Sequence, residues 1–121
     1  MLKDNHLAYA GSITKAIELL RKSLGHTVKI EIEIETLEQL QEAVEAEADI
    51  IMFDNRTPEQ IIEWLPQVPS HIITEASGMI TEENIASYGK TGIDYISVGA
   101  LTHSVTATDI SANIQFTTQE E

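Results

Sequence analysis

The stretch Lys29-Ile30-Glu31-Ile32-Glu33-Ile34-Glu35 alternates glutamate with isoleucine without interruption. Strict alternation predicts a β-strand with its isoleucines on one face and its carboxylates on the other. The carboxylate face could be a solvated outer surface, or it could line the acidic interior of an active site. The next strand, Asp49-Ile50-Ile51-Met52-Phe53, is almost continuously apolar and is followed by Asp54-Asn55. Such a run is typical of a strand buried on both faces, as in a parallel sheet covered by helices.

Strand and helix signals repeat along the chain. Strands are predicted at 28–35, 49–53, 71–75 and 93–98, and helices are predicted after the N-cap candidates Ser12, Thr36, Thr57 and Thr81. This alternation predicts an α/β fold with parallel strands, each followed by a helix, as in a partial TIM-like (β/α) barrel. Residues 1–116 are predicted to form one barrel portion, and residues 117–121 a polar tail.

The composition narrows the function classes. Seven Lys and Arg against 20 Asp and Glu give a formal net charge of −13, which argues against nucleic acid or an anionic membrane surface as a partner. The chain has no cysteine, which excludes disulfides, a thiolate nucleophile and cysteine metal sites. The sequence shows neither a signal-peptide pattern nor an apolar run long enough to span a membrane, so we expect a cytoplasmic protein.

Two carboxylates end consecutive predicted strands. In barrels the active groups lie at the carboxyl ends of the strands. Glu33 and Asp54 have such positions, so in a parallel sheet we expect them to be adjacent and a few ångströms apart. Paired carboxylates suit Mg²⁺, which favours one or two protein carboxylates plus substrate phosphates. Alternatively, Asp54 could serve only to cap the turn into the next helix through Asn55 and Thr57.

Glycines follow the last two predicted strands, in Ser77-Gly78 and Gly99-Ala100. Their backbone N–H groups could hold a phosphate, because the loops after the last two strands of a barrel are the usual phosphate site. Alternatively, the glycines could serve only tight turns. Lys3 and His103 could also contact substrate from neighbouring loops, although either could be an ordinary surface residue.

Five blocks of sequence, taken in order along the chain, closely resemble quinolinate phosphoribosyltransferases. They are Lys3-Asp4-Asn5-His6, Ile32-Glu33-Ile34-Glu35 with Leu37-Glu38, residues 49–55, Glu75-Ala76-Ser77-Gly78, and residues 94–104. The resemblance implies a pentosyltransferase that moves the phosphoribosyl group from phosphoribosyl pyrophosphate to the nitrogen of quinolinate. Decarboxylation to nicotinate mononucleotide, a step of NAD biosynthesis, would follow.

The resemblance also implies a role for each matching position. Lys3 would contact a substrate carboxylate or phosphate, and Glu33 and Asp54 would hold the ribose hydroxyls and Mg²⁺. The phosphates would be surrounded by Ser77, Gly78, Gly99 and His103. These roles are chemically consistent, because an oxocarbenium-like sugar and a departing pyrophosphate need carboxylates near the ribose and donors at the leaving group.

The sequence departs from the family in two ways. The family usually has a second glycine where this chain has Met79, so a left-handed backbone is not expected at that position. The family also carries an N-terminal domain, the first barrel strands and quinolinate-binding arginines before the Lys3 block, and Arg21 and Arg56 do not replace those arginines. We therefore expect the C-terminal part of such an enzyme, inactive alone, that associates with itself or with the missing N-terminal half. Alternatives are a paralogous phosphoribosyltransferase for another heterocycle and a non-catalytic binding or assembly module.

Overall fold

The computed structural model of the chain describes residues 1–2 and 11–99, and a parallel sheet is at its centre. Its strands are β1 (Glu31–Ile34), β2 (Ile50–Asp54), β3 (Ile73–Ser77) and β4 (Tyr95–Ile96). All neighbouring pairs are parallel, and the strands lie in chain order. Leu2 extends the sheet beyond β1, because it forms a parallel bridge with Ile32.

The helices alternate with these strands. They are α1 (Ile13–Ser23), α2 (Leu37–Glu45), α3 (Pro58–Trp64), a 3-10 turn at Leu65–Gln67, and α4 (Ile85–Tyr88). Parallel strands in chain order with intervening helices are the arrangement of part of a (β/α) barrel. The predicted fold class is thus confirmed, although β3 begins two residues later than predicted and β4 is shorter than predicted.

Most of the predicted helix starts are confirmed. The side chains of Ser12, Thr36 and Thr57 accept hydrogen bonds from N–H groups in the first turns of α1, α2 and α3, and the last two caps are complete capping boxes. The prediction for Thr81 is wrong, because α4 starts later, with Asn84 at its N-cap position. Residues 81–84 instead form a turn in which the Thr81 N–H donates to Asn84 Oδ1.

The two faces of the sheet differ. On one face the side chains are completely buried and pack with the helices; they are Ile32, Ile34, Ile51, Phe53 and Ala76, all 0% exposed. Because successive side chains of a strand alternate between faces, the carboxylates of β1 lie on the other face, as predicted. Residues 51–53 are all buried, so β2 is covered on both faces, also as predicted.

Within residues 1–2 and 11–99, no helix is both long and apolar enough to cross a membrane. The predicted polar tail at 117–121 lies outside the described residues.

Candidate active site at the carboxyl end of the sheet

The strand register shows how Glu33 and Asp54 are related. Glu33 lies opposite Met52, and Asp54, two residues further along β2, lies opposite Ser77. Glu33 and Asp54 therefore share one face on neighbouring strands, but diagonally. At the usual spacings of a sheet, their Cα atoms are about 8 Å apart. The two residues are therefore not side by side, as the sequence led us to expect, but are offset by two residues along the sheet.

The surroundings of Asp54 separate the two interpretations of this residue. Its Oδ2 atom accepts a hydrogen bond of 2.7 Å from the Asn55 side-chain amide. Helix α3 is capped by Thr57 and Gln60, and the Asp54 carboxylate takes no part in that cap. Asp54 is half-buried, whereas Glu33 is only 8% exposed. The Asp54 carboxylate therefore contacts the turn through Asn55, as the capping alternative expected, but it does not cap the helix with Thr57.

The carboxylates of Glu33 and Asp54 are of the chemical kind that Mg²⁺ accepts as ligands. In the described part of the chain, no group of three or more His, Cys, Asp or Glu side chains is arranged to hold a metal ion. Mg²⁺ does not need such a group, since it is usually bound by one or two carboxylates together with phosphate oxygens and water. Glu33 and Asp54 supply hard oxygen ligands of this kind on one face of the sheet.

The loop after β3 has an unusual backbone. Gly78 has φ of 82° and Met79 has φ of 55°, so both are left-handed. The expectation that Met79 would avoid this conformation is wrong. Its side chain is 77% exposed, and its carbonyl oxygen accepts a hydrogen bond of 2.9 Å from the Asn84 amide, which holds the turn. A left-handed backbone costs a non-glycine residue roughly 1–2 kcal/mol, so this loop stores strain beside the candidate site.

Gly78 is needed where the loops after β2 and β3 meet. A Cβ atom at this position would lie 2.3 Å from Asn55 Oδ1 and 3.0 Å from the Asn55 backbone nitrogen. The steric reason for this glycine, one of the two alternatives from the sequence, is therefore confirmed. It leaves the phosphate role open, because the same missing side chain also allows a ligand close to the backbone.

The remaining predicted site residues are not all described. Gly99 is exposed and follows β4 at the same end of the sheet. Lys3 and His103 lie outside the described residues.

Sequence reasoning missed a second group of side chains on the carboxylate face. Glu75 lies opposite Met52 on one side and Tyr95 on the other. The Ser97 hydroxyl is hydrogen-bonded to Glu75 Oε1. Burial, followed by the charge of nearby Glu75, raises the pKa of Glu31 above its ordinary value. The alternation in β1 places Glu31 on this face, but only the register shows that Glu75 is near it.

The opposite, amino end of the sheet has a cavity and an aspartate that is hydrogen-bonded to a neighbouring strand. A cavity of about 220 Å³ opens there, and its lining includes Leu65, Val68, Ile72, Thr74, Gly92 and Asp94. Asp94 Oδ2 accepts hydrogen bonds from the backbone N–H (2.8 Å) and the hydroxyl (2.7 Å) of Thr74. These bonds make Asp94 a structural residue.

Comparisons with known proteins identify relatives over nearly the whole chain. Residues 1–113 match the family model described as quinolinate phosphoribosyl transferase, C-terminal domain. The chain is 51% identical over 114 residues to a probable carboxylating nicotinate-nucleotide pyrophosphorylase of Bacillus subtilis, and 37% identical over 118 residues to the human carboxylating nicotinate-nucleotide pyrophosphorylase. Each alignment covers 94% of this chain but 39% of the relative, so the chain spans about two fifths of the length of these proteins.

Solved structures of related proteins are likewise similar over most of this chain and match only part of the other protein. The crystal structure of NadC from Streptococcus pyogenes has a TM-score of 0.80 and 41% sequence identity with this chain. The match covers 86% of this chain and 36% of that protein. A nicotinate-nucleotide pyrophosphorylase from Francisella tularensis has a TM-score of 0.79 and 38% identity, over 91% of this chain and 39% of that one.

Proposed function

The chain belongs to the quinolinate phosphoribosyl transferase family, through its C-terminal domain, and on this premise we propose that it is the part of the enzyme that holds the phosphoribosyl group. The observation that carries the proposal is the position of Glu33 and Asp54. They share one face at the carboxyl end of a parallel sheet, next to the left-handed Gly78 loop. In barrels this is the end at which substrates bind.

In the proposed reaction, the C1′ atom of phosphoribosyl pyrophosphate forms a bond to the quinolinate nitrogen while its bond to the pyrophosphate oxygen breaks. The carboxylate next to the ring nitrogen is then lost as carbon dioxide, and a proton from solvent takes its place on the ring carbon, which gives nicotinate mononucleotide. Glu33 and Asp54 would accept hydrogen bonds from the ribose hydroxyls and stabilise the positive charge that develops on the sugar. They would also be the ligands of Mg²⁺, which, when bound, neutralises charge on the departing pyrophosphate.

The backbone around Ser77, Gly78 and Gly99 would hold the phosphate on the ribose. N–H groups of a loop with left-handed residues can converge on an anion, and a missing side chain lets the phosphate approach. Lys3 and His103 remain proposals for the same ligand. Each would supply a positive or hydrogen-bonding group, which an otherwise acidic chain needs near a polyanion.

The proposal includes a partner. The alignment covers 39% of the Bacillus subtilis relative, which is thus more than twice as long as this chain. The resemblance implies that quinolinate-binding arginines lie in the part of the family's sequence before the Lys3 block. We propose that the isolated chain binds phosphoribosyl pyrophosphate but does not turn over, and that catalysis requires the remainder of the barrel or a second copy of the chain. A cytoplasmic location is proposed with this function.

Calorimetric titration of the purified chain with phosphoribosyl pyrophosphate and Mg²⁺ tests the proposal. We expect saturable binding that is lost in Glu33→Ala. Glu63→Ala is the matched control, because Glu63 is an exposed residue of α3 on the other side of the sheet, and it should bind like the parent. If the folded parent shows no binding at millimolar ligand, the chain is a non-catalytic module and the proposal fails.

A further inference from the structure

Asn55 links the two loops that frame the candidate site. Its backbone N–H donates to the Ser77 carbonyl oxygen at 2.9 Å, which joins the ends of β2 and β3. Its side chain packs against Gly78, so closely that a methyl group there would overlap Asn55 Oδ1. Asn55 itself is left-handed, with φ of 51°. Asn55 is therefore held by its backbone hydrogen bond to Ser77 and by the packing of its side chain against Gly78.

This packing determines which way the Asn55 amide points. With Oδ1 against Gly78, the amide nitrogen faces Asp54 and donates to its Oδ2 atom at 2.7 Å. A carboxylate is an acceptor only, so the donor in this pair must be the amide group. One oxygen of Asp54, Oδ2, is thereby engaged by the neighbouring side chain, and this contact restricts the orientation of the carboxylate.

We propose that Asn55 is a positioning residue, which holds the Asp54 carboxylate in the orientation that binds the ribose hydroxyls and Mg²⁺. The ligand in this statement rests on the proposed function, whereas the orientation of Asp54 does not. Groups that hydrogen-bond a metal-binding or substrate-binding carboxylate restrict its rotamers, and their loss typically lowers affinity for a metal about 10–100-fold. Neither the family assignment nor the sequence pattern gives Asn55 this role.

The alternative is that Asn55 serves only the turn, since asparagine tolerates a left-handed backbone better than most residues. The two roles separate in Asn55→Gly. Glycine accepts the same φ at no steric cost and keeps the N–H that donates to Ser77, but it has no amide for Asp54. A purely conformational role predicts that this variant behaves like the parent.

Two measurements on the full chain decide between them. Three-bond couplings from Asp54 Cγ to the backbone nitrogen and carbonyl carbon report its χ1 angle by NMR. We expect one staggered rotamer in the parent and rotamer averaging in Asn55→Gly. In titrations with phosphoribosyl pyrophosphate and Mg²⁺, we expect affinity to fall roughly tenfold or more. Gln41→Ala is the control, because it removes an amide that contacts Gln67 on the helical side, and it should change neither result.

Asn55→Asp provides a second variant if Asn55→Gly does not fold. Aspartate has the same shape and also tolerates the left-handed backbone, but it cannot donate to Asp54 and repels it. Unchanged Asp54 couplings in either folded variant would overturn the proposal, and so would averaged couplings with parental affinity. If the parent itself binds no ligand, the proposed function fails, and the couplings alone still decide whether Asn55 orients Asp54.

Discussion

Aspartates stand at both ends of the sheet and have different surroundings. At the amino end, Asp49 Oδ2 accepts a 2.6 Å hydrogen bond from the backbone N–H of Ile30, and Asp94 Oδ2 accepts two from Thr74. At the carboxyl end, Asp54 accepts from the side chain of Asn55. The carboxylates at the amino end accept hydrogen bonds from backbone N–H groups and so join neighbouring strands, whereas the Asp54 carboxylate accepts from the side chain of the next residue in the chain.

The difference follows from the direction of a parallel strand. The first residues of a strand have N–H groups without partners from the preceding turn, and a carboxylate from the adjacent strand can accept them. Loops at the carboxyl end instead lead into helices that have their own caps, as Thr57 shows for α3. In barrels the amino end accordingly supports stability, while the carboxyl end carries activity.

Asp94→Ala should give the largest change in stability. It removes the acceptor of the Thr74 N–H and hydroxyl, and Thr74 is buried. Unsatisfied buried donors cost about 1–3 kcal/mol each, and water in the adjoining cavity would replace part of this loss, so we expect the free energy of unfolding in urea to fall by about 1–3 kcal/mol. Asp94→Asn keeps an acceptor oxygen and should lose less. Equal stability of Asp94→Ala and the parent would remove the contrast between the two ends.

Asp54→Ala should have little effect on stability but a large effect on ligand binding. Asp54 accepts its hydrogen bond from an exposed neighbour, so the free energy of unfolding should change by about 0.5 kcal/mol or less. Binding of phosphoribosyl pyrophosphate with Mg²⁺ should nevertheless be lost in calorimetric titration. A variant that unfolds as easily as Asp94→Ala but still binds would show that Asp54 is another structural aspartate.

Glu31→Gln should produce the smallest effect, a change in pH dependence. Burial and the charge of Glu75 raise the pKa of Glu31 above its ordinary value of 4.5, so the folded chain binds a proton that the unfolded chain has released. This contribution to stability is complete below pH 4.5 and is lost as the pH rises through the folded pKa. Urea unfolding between pH 4.5 and neutral pH should therefore show a smaller decrease for Glu31→Gln than for the parent. Glu45→Gln, an exposed residue at the end of α2, should keep the parental slope.

The fold could be predicted from the sequence because its signals are local. The alternation around Glu33 and the caps at Thr36 and Thr57 each depend on a few neighbouring residues. The prediction of a helix start at Thr81 was wrong because two local structures compete there. A turn through Asn84 forms in place of the cap, and the sequence does not show which of the two is favoured.

The site could be predicted only in part. Glu33 and Asp54 were identified because they lie near the ends of predicted strands. Their diagonal relation depends on the register of two strands, which is a non-local property. The left-handed backbone of Met79 and the contact between Asn55 and Gly78 depend on how two loops pack. Neither has a signal within its own stretch of sequence.

The most direct test is to map ligand-induced shifts of the backbone amide resonances by NMR during titration with phosphoribosyl pyrophosphate and Mg²⁺. We expect the shifts to concentrate at the carboxyl end of the sheet, at Glu33, Asp54, Gly78 and Gly99, while Asp49, Asp94 and the cavity at the amino end stay unchanged. Shifts confined to the amino end, or none in a folded chain, would contradict the assignment of ligand binding to the carboxyl end.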